Sequence, residues 1–242
     1  MKVNFLCIGV QKSGTSSLKK YLNLHPDVYC KGECHFFDSD NQQLTREDFE
    51  NYEKNFTENK KLIGEKTPSY CYIRKAIIRI KEYNPNMKLI MILREPISRA
   101  YSQWNVRHKK KFINENFEET IEKDIIPLGR IKKNGENLVV RGFYDDQINF
   151  ILNLFNKNQL YIAIAEEIKK NKEVEYNKIF NFLGVRKIKI EQNLDTAVGK
   201  YENKISKKAE QKLYNIYKPH NENLYKILGR RVKIWEEYYK NI

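Results

Sequence analysis

Residues 4–24 read NFLCIGVQKSGTSSLKKYLNL, and this stretch decides the fold. Its first part, residues 4–10, is a short apolar run of the kind that forms a buried strand. A turn containing Gly14 follows, and apolar residues then recur at helical spacing over 16–24. A strand, a tight turn and a helix together form a phosphate-binding loop, because backbone N–H groups and the helix N-terminus face an anion there. We therefore predict that this segment binds a phosphate-like group.

The loop between strand and helix is rich in groups that bind anions. The standard nucleotide loop places a lysine directly after its second glycine, whereas here Thr15 follows Gly14 and the lysine lies earlier, within the loop. A plain strand-to-helix turn with incidental serines is the alternative interpretation. The side chains that we expect to contact the anion are Lys12, Ser13, Thr15, Ser16 and Ser17.

The rest of the chain alternates apolar runs with amphipathic segments. Further buried strands are predicted at 88–93 and 160–165. Helices are predicted at 46–52, 72–83, from Pro96 onward, 143–155, 172–183 and 207–228, the last interrupted near Pro219.

This alternation predicts an α/β protein with a three-layer, P-loop-like fold, in which a central parallel β-sheet is flanked by helices. Ligands of such sheets bind beyond the carboxyl ends of the strands. We expect a single domain over residues 1–242. The polar stretch 109–140, which includes Lys109, Lys110 and Lys111, is predicted to be a mobile insertion or lid with a helix near 115–124.

The formal net charge of +14 leaves three interpretations open. A basic protein can bind nucleic acid, bind an anionic small molecule or glycan, or carry its lysines on solvated faces. The sequence shows no arginine-rich arm and resembles no nucleic-acid-binding module, so no nucleic-acid partner is expected. An anionic ligand and solvated lysines both remain compatible with the composition.

Two further features concern metal binding and location. The four cysteines show no CxxC pair, and Cys30 and Cys34 have no second pair of ligands to complete a zinc site. No apolar run approaches the roughly 20 residues that span a bilayer, and residues 3–10 are too short for a signal-peptide core. We therefore expect no metal, no membrane span and a cytoplasmic location.

Four segments, taken in chain order, resemble those of sulfotransferases that use 3′-phosphoadenosine 5′-phosphosulfate (PAPS). Residues 11–18 resemble the loop that binds the 5′-phosphosulfate of the donor, and residues 93–102 resemble the motif that binds its 3′-phosphate. Residues 31–38, KGECHFFD, and 64–70, GEKTPSY, resemble the heparan-sulfate (glycosaminoglycan) branch of the family in particular.

For the donor, the resemblance implies PAPS as the sulfuryl source and 3′-phosphoadenosine 5′-phosphate (PAP) as the product, without a metal. Lys12 then contacts the sulfate and the bridging oxygen, while Arg94 and Ser102 bind the 3′-phosphate. Tyr144 belongs to a stretch that precedes the helix covering the adenine side. Lys200 lies in the nearest counterpart of the family's late loop over the 3′-phosphate, although that loop departs from the usual pattern.

For the reaction, the resemblance makes Glu33 the catalytic base and places Lys66 near the reacting centre, where it stabilises charge. It carries His35 and Asp38 to the acceptor side. A carboxylate suits the removal of an acceptor proton, and lysines neutralise the leaving oxygen and the sulfuryl oxygens. The expected acceptor is a glycan or a small hydroxylated molecule, either acidic or neutral. The acceptor atom can be oxygen or nitrogen.

Two other functional classes are compatible with parts of the sequence. A P-loop kinase would need magnesium and is expected to have an acidic residue at the end of a buried strand, where this chain has Arg94. A non-enzymatic polyanion-binding protein would use a degenerate loop, and Glu33 and Lys66 would then be dispensable.

Overall fold

The computed structural model of the chain describes residues 2–40, 43–125, 137–196 and 204–242. Within these ranges five strands form one parallel sheet in the order β2-β3-β1-β4-β5. The strands are β1 (Phe5–Gly9), β2 (Val28–Lys31), β3 (Leu62–Lys66), β4 (Lys88–Leu93) and β5 (Leu160–Ile164). The predicted α/β fold with a central parallel sheet flanked by helices is confirmed.

The α-helices of the described residues follow the strands in the alternating pattern expected of a parallel sheet. They are α1 (Thr15–Leu22), α2 (Arg46–Glu53), α3 (Arg74–Tyr83), α4 (Pro96–Lys109), α5 (Phe117–Ile125), α6 (Tyr144–Leu152), α7 (Ala165–Lys170), α8 (Lys172–Leu183), α9 (Lys207–Leu228) and α10 (Lys233–Tyr239). Short 3-10 turns occupy Tyr70–Tyr72, Val140–Gly142 and Lys157–Gln159.

The predicted interruption near Pro219 is wrong, because α9 runs through this proline without a break. Leu213 and Tyr217 before it and Leu224 after it are fully buried. Burial of one apolar face on both sides of the proline stabilises a continuous helix against the loss of a backbone hydrogen bond.

The chain forms two compact units. Unit 1 comprises Met1–Leu93 and Ile148–Thr196 and contains the whole sheet, and unit 2 comprises Arg94–Gln147 and Ala197–Ile242. The single domain that we expected from the chain length stays a prediction. Segment 126–136, which belongs to the predicted lid, and Lys200 lie outside the described residues.

One core cluster of unit 1 lies between the sheet and two helices. Side chains of β1 and β4 pack against α1 and α8 in one cluster, in which Phe5, Leu18, Ile90, Ile179 and Phe180 are all fully buried. None of the described helices combines the length and the apolar composition that a bilayer span requires.

The centre of the sheet imposes a close approach at Gly64. A Cβ atom at this position would lie 2.4 Å from the backbone oxygen of Phe5 on the neighbouring strand. We predict that Gly64→Ala lowers the free energy of unfolding by about 1–3 kcal/mol, because the backbone of β1 must move away. Chemical denaturation measures the effect.

Gly32→Ala is the matched control, because a Cβ there would meet only the end of the flexible Lys19 side chain, at 3.8 Å. We expect its unfolding free energy to change by less than about 0.5 kcal/mol. Equal stability of the two variants would contradict the predicted clash.

Candidate active site

The phosphate-loop segment leaves the sheet at the carboxyl end of β1. Val10 N donates to Ile92 O at 2.9 Å, and the Ser13 hydroxyl donates back to Val10 O at 2.5 Å. Gly14 is the N-cap of α1 with φ +92°, in the left-handed region that favours glycine, and Lys12 has φ +71°. The turn therefore directs the chain into α1. Because the N-cap residue is a glycine, it has no side chain that could accept from the first N–H groups of this helix.

The side chains of this loop differ in exposure. Ser13, Thr15 and Ser17 are buried, Lys12 is half-buried and Ser16 is exposed. The Ser17 hydroxyl accepts a hydrogen bond from Thr196 N at 3.0 Å and lies 3.1 Å from the Thr196 hydroxyl. This side chain thus ties α1 to a much later segment of unit 1.

A second cluster surrounds Glu33, which follows the carboxyl end of β2. Lys66, the last residue of β3, donates to Glu33 Oε1 in a short charged hydrogen bond. Glu33 Oε2 lies 3.2 Å from His35 Nε2, and His35 Nδ1 lies 3.0 Å from Asp38 Oδ2. Asp38 also accepts from the Ser69 hydroxyl at 2.5 Å. The structure thus brings together Glu33, Lys66, His35 and Asp38, to which the resemblance gives a role in the reaction. Lys12, which the resemblance also places at the reacting group, lies in the loop after β1.

The parallel pairing of β2 with β3 explains this convergence. Lys31 and Glu65 are partners in the sheet register, so the residues that follow them leave from the same edge. Thr67 connects this edge to β1, because its N–H donates to Cys7 O at 3.1 Å and its hydroxyl accepts from Cys34 N at 3.2 Å. The loops after β1, β2 and β3 therefore start from neighbouring strand ends.

Electrostatics favour the ionised form of this cluster. Burial alone would raise the pKa of Glu33, but the hydrogen bond and charge of Lys66, together with His35, outweigh burial and lower it below its ordinary value. Burial has the opposite effect on His35 and would lower its pKa, but the hydrogen bonds and charges of Asp38 and Glu33 raise the pKa above its ordinary value. Glu33 is consequently a carboxylate at neutral pH and can accept a proton, while Lys66 supplies a positive charge beside it.

Glu65 and Tyr70, whose roles sequence reasoning missed, lie beneath the cluster. Both side chains are fully buried, and the Tyr70 hydroxyl donates to Glu65 Oε1 at 2.7 Å. Burial raises the pKa of Glu65 to about 7, although the nearby polar groups of Cys34, Tyr70 and Tyr52 lower it. The dipeptide Glu65-Lys66 is too common in protein sequences to indicate a site by itself. Only the alternation of side chains between the two faces of a strand could have indicated that Glu65 points inward.

The predicted 3′-phosphate residues belong to unit 2. Arg94 is half-buried and directly follows β4 in the chain, and Ser102 is buried within α4. The Tyr144 hydroxyl donates to Arg94 O at 2.8 Å. Glu95 caps α4 by accepting from Ile97 N and Ser98 N, at 2.9 and 2.7 Å. This cap fixes the start of the helix directly after Arg94.

Unit 2 also holds the one group of three or more potential metal ligands found among the described residues. It consists of Asp145, Asp146 and His220, with His220 Nδ1 lying 2.8 Å from Asp145 Oδ1 and the imidazole stacked on Phe143. None of these residues was predicted to be a site residue. The expectation that no metal is needed stays a prediction.

Comparison with known proteins gives a consistent result. A family model described as "Sulfotransferase domain" matches residues 3–216. Among curated proteins, "Membrane-associated sulfotransferase kil1" of Dictyostelium discoideum is 26% identical, over 96% of this chain and 66% of that protein. "Heparan sulfate glucosamine 3-O-sulfotransferase 3B1" of Homo sapiens is 29% identical, over 76% of this chain and 46% of that protein.

Solved structures agree on the fold. A sulfotransferase from Alicyclobacillus acidocaldarius superposes with a TM-score of 0.81 at 22% identity, covering 98% of this chain and 99% of that one. Mouse sulfotransferase SULT7A1 complexed with PAP gives a TM-score of 0.51 at 16% identity, covering 89% and 63%. The family model confirms the resemblance inferred from the four sequence segments. The chain spans only 46% to 66% of the two curated relatives' lengths.

The buried Glu65 carboxyl makes stability depend on pH. Because its folded-state pKa is raised from 4.5 to about 7, the folded protein binds this proton more tightly than the unfolded chain does. The associated stability is present below pH 4.5 and is lost as the pH rises through 7. In the wild type, ionisation of Glu65 should lower the free energy of unfolding by about 3 kcal/mol between pH 4.5 and pH 8. We predict that Glu65→Gln removes this contribution, as measured by the unfolding free energy of both proteins at the two pH values.

Glu50→Gln is the control, since Glu50 is 58% exposed and pairs with the exposed Arg46. Its pH profile should follow that of the wild type. Parallel profiles for Glu65→Gln and the wild type would show that Glu65 ionises normally.

Proposed function

Because the chain belongs to the sulfotransferase domain family, we propose that it transfers a sulfuryl group from PAPS to a hydroxyl or amine of an acceptor. The observation that carries this proposal is the contact between Glu33 and Lys66 at the sheet edge where the β1 loop also begins. A carboxylate that can take a proton and an ammonium group that can neutralise an anion are the two groups that the transfer needs.

The donor contacts are assigned segment by segment from the family resemblance. The loop of residues 12–17, with Lys12 as its cation and the N-terminus of α1 as its dipole, binds the 5′-phosphosulfate. Arg94 and Ser102 bind the 3′-phosphate, and Tyr144 supports the adenine side. Lys200 is proposed for the same 3′-phosphate, although it lies outside the described residues. A similar fold, that of mouse SULT7A1, is complexed with PAP, which supports this choice of donor.

The transfer is an in-line displacement at sulfur. The acceptor oxygen or nitrogen forms a bond to sulfur, its proton passes to Glu33, and the bond from sulfur to the bridging oxygen breaks. The electron pair of that bond stays on the 5′-phosphate of PAP, where Lys12 neutralises the new charge. Lys66 stabilises the equatorial sulfuryl oxygens, and His35 and Asp38 face the acceptor. This chemistry uses the protein's own cations and no metal.

The acceptor is proposed to be a glycan or a small hydroxylated molecule, either acidic or neutral. Relatives named as heparan sulfate glucosamine 3-O-sulfotransferases support a glycan, and the net charge of +14 favours an anionic one. The family membership argues against a P-loop kinase, and the Glu33–Lys66 contact argues against a binding protein in which both residues are dispensable.

The base assignment predicts the behaviour of Glu33→Gln. The amide cannot accept the acceptor proton, so turnover should fall at least about 100-fold, while PAP affinity should stay within about twofold, since no donor contact is assigned to Glu33. Release of PAP from PAPS in the presence of desulfated heparan sulfate measures turnover. Glu50→Gln is the control and should retain full turnover; full turnover in Glu33→Gln would remove Glu33 from the mechanism.

The donor assignment predicts selective loss in Arg94→Ala. Removing a charged partner of the 3′-phosphate should weaken PAP binding by at least about tenfold and leave binding of 5′-AMP nearly unchanged. Calorimetric titration with each nucleotide measures both. Arg46→Ala, at a side chain 94% exposed, is the control.

Equal losses for PAP and 5′-AMP would exclude Arg94 from the 3′-phosphate site. Wild-type preference for ATP with magnesium over PAP would move the protein to the kinase class.

A further inference from the structure

The loop that carries the proposed base has no regular secondary structure between β2 and residue 38. Its backbone is held instead by side chains that follow β3. Cys34 N donates to the Thr67 hydroxyl, and Phe36 N and Phe37 N donate to the Tyr70 hydroxyl at 3.0 and 3.4 Å. Because buried backbone N–H groups need acceptors, these two hydroxyls determine the path of the loop.

The Tyr70 hydroxyl uses its full hydrogen-bonding capacity. It has one proton and two lone pairs, and it accepts from Phe36 N and Phe37 N while it donates to Glu65 Oε1. Glu65 Oε1 accepts this hydrogen bond whether the carboxyl is ionised or carries a proton on Oε2, so Glu65 orients the Tyr70 proton away from the loop. The lone pairs of the hydroxyl then face the two backbone donors.

We propose that Tyr70 and Glu65 form a positioning pair that sets the conformation of the loop bearing Glu33 and His35. Within the described residues, neither member of the pair forms a hydrogen bond with Glu33 or His35. The pair acts through the backbone N–H groups of Phe36 and Phe37. The inference rests on the proposed function only where it calls Glu33 the base.

The backbone of His35 shows why the loop needs anchors on both sides. His35 has φ +51°, a conformation that costs free energy in a residue with a side chain. The N–H groups on either side, those of Cys34 and Phe36, are bonded to Thr67 and Tyr70. Loss of the Tyr70 anchor would let His35 relax, and its contacts with Glu33 and Asp38 would weaken.

The burial of Glu65 itself requires an explanation. A fully buried carboxyl group in a central strand destabilises the fold relative to an apolar residue of similar size. Within the described residues Glu65 Oε2 has no hydrogen-bond partner, so the carboxyl is only partly satisfied. Orientation of Tyr70 is a contribution of Glu65 that an apolar residue in this strand would lack.

Tyr70→Phe tests the pair with little disturbance of packing, because the ring stays edge-on against Phe37, with centroids 5.6 Å apart. Tyr83→Phe is a matched control. The Tyr83 hydroxyl is also buried, accepts from Val3 N at 2.8 Å and donates to Glu53 Oε1 at 3.0 Å, and its ring packs on Phe37. It does not bond to the loop backbone. Both variants lose the same kind of hydrogen bonds in unit 1.

The expected result for Tyr70→Phe is a fall in kcat of about tenfold or more with PAP affinity within about twofold. The amides of Phe36 and Phe37 should exchange hydrogen faster than in the wild type. Tyr83→Phe should lose comparable stability and keep kcat and both exchange rates. Glu65→Gln retains an acceptor for Tyr70 and should keep most of the activity, whereas Glu65→Leu should behave like Tyr70→Phe.

Unchanged exchange at Phe36 and Phe37 in Tyr70→Phe would overturn the inference, as would a kcat equal to that of Tyr83→Phe. If Tyr70→Phe fails to fold, the difference between Glu65→Gln and Glu65→Leu decides the question by the same measurements. A wild-type protein that transfers no sulfuryl group would refute the proposed function alone, since the exchange rates would still report whether Tyr70 anchors the loop.

Discussion

Parallel pairing of β3 with β2 on one side and β1 on the other is the constraint on which the chemistry of unit 1 depends. Parallel strands end at a common edge, so three segments far apart in the chain are brought to neighbouring starting points. The lysine at the end of β3 meets the glutamate after β2 for this reason. A slip of one residue in β3 would turn Lys66 to the opposite face of the sheet and break the contact with Glu33.

The polar groups around this edge are arranged in layers of increasing burial. Glu33 and His35 reach solvent, Lys66 and Asp38 lie below them, and Glu65 is enclosed. The outer carboxylate is kept ionised by its cationic neighbours, while the inner one is pushed toward its neutral form by burial. Two glutamates on adjoining segments thus take opposite electrostatic roles, which is a common basis for dividing tasks between carboxyl groups.

Sequence reasoning recovered β1 and β4 because each is a short apolar run bounded by turn-forming residues, as is typical of a buried strand. It did not predict β3, since LIGEK has only two large apolar residues and its burial comes from the strands on either side. The roles of Glu33 and Lys66 were assigned by resemblance, and only the sheet register accounts for their contact. The bonds from Tyr70 to the loop could not be predicted, because they join a side chain to backbone groups more than 30 positions away.

The hydrogen bond between Ser17 and Thr196 joins positions 179 apart in the chain, and Tyr21 in the same helix bonds to Asp195. Contacts of such high sequence separation form late, because the entropy of closing the intervening chain is lost before the contact stabilises anything. During synthesis the helix behind the phosphate loop therefore emerges long before the segment that secures it. The phosphate loop thus precedes the segment after β5 in synthesis, yet it reaches its final geometry only after that segment has docked.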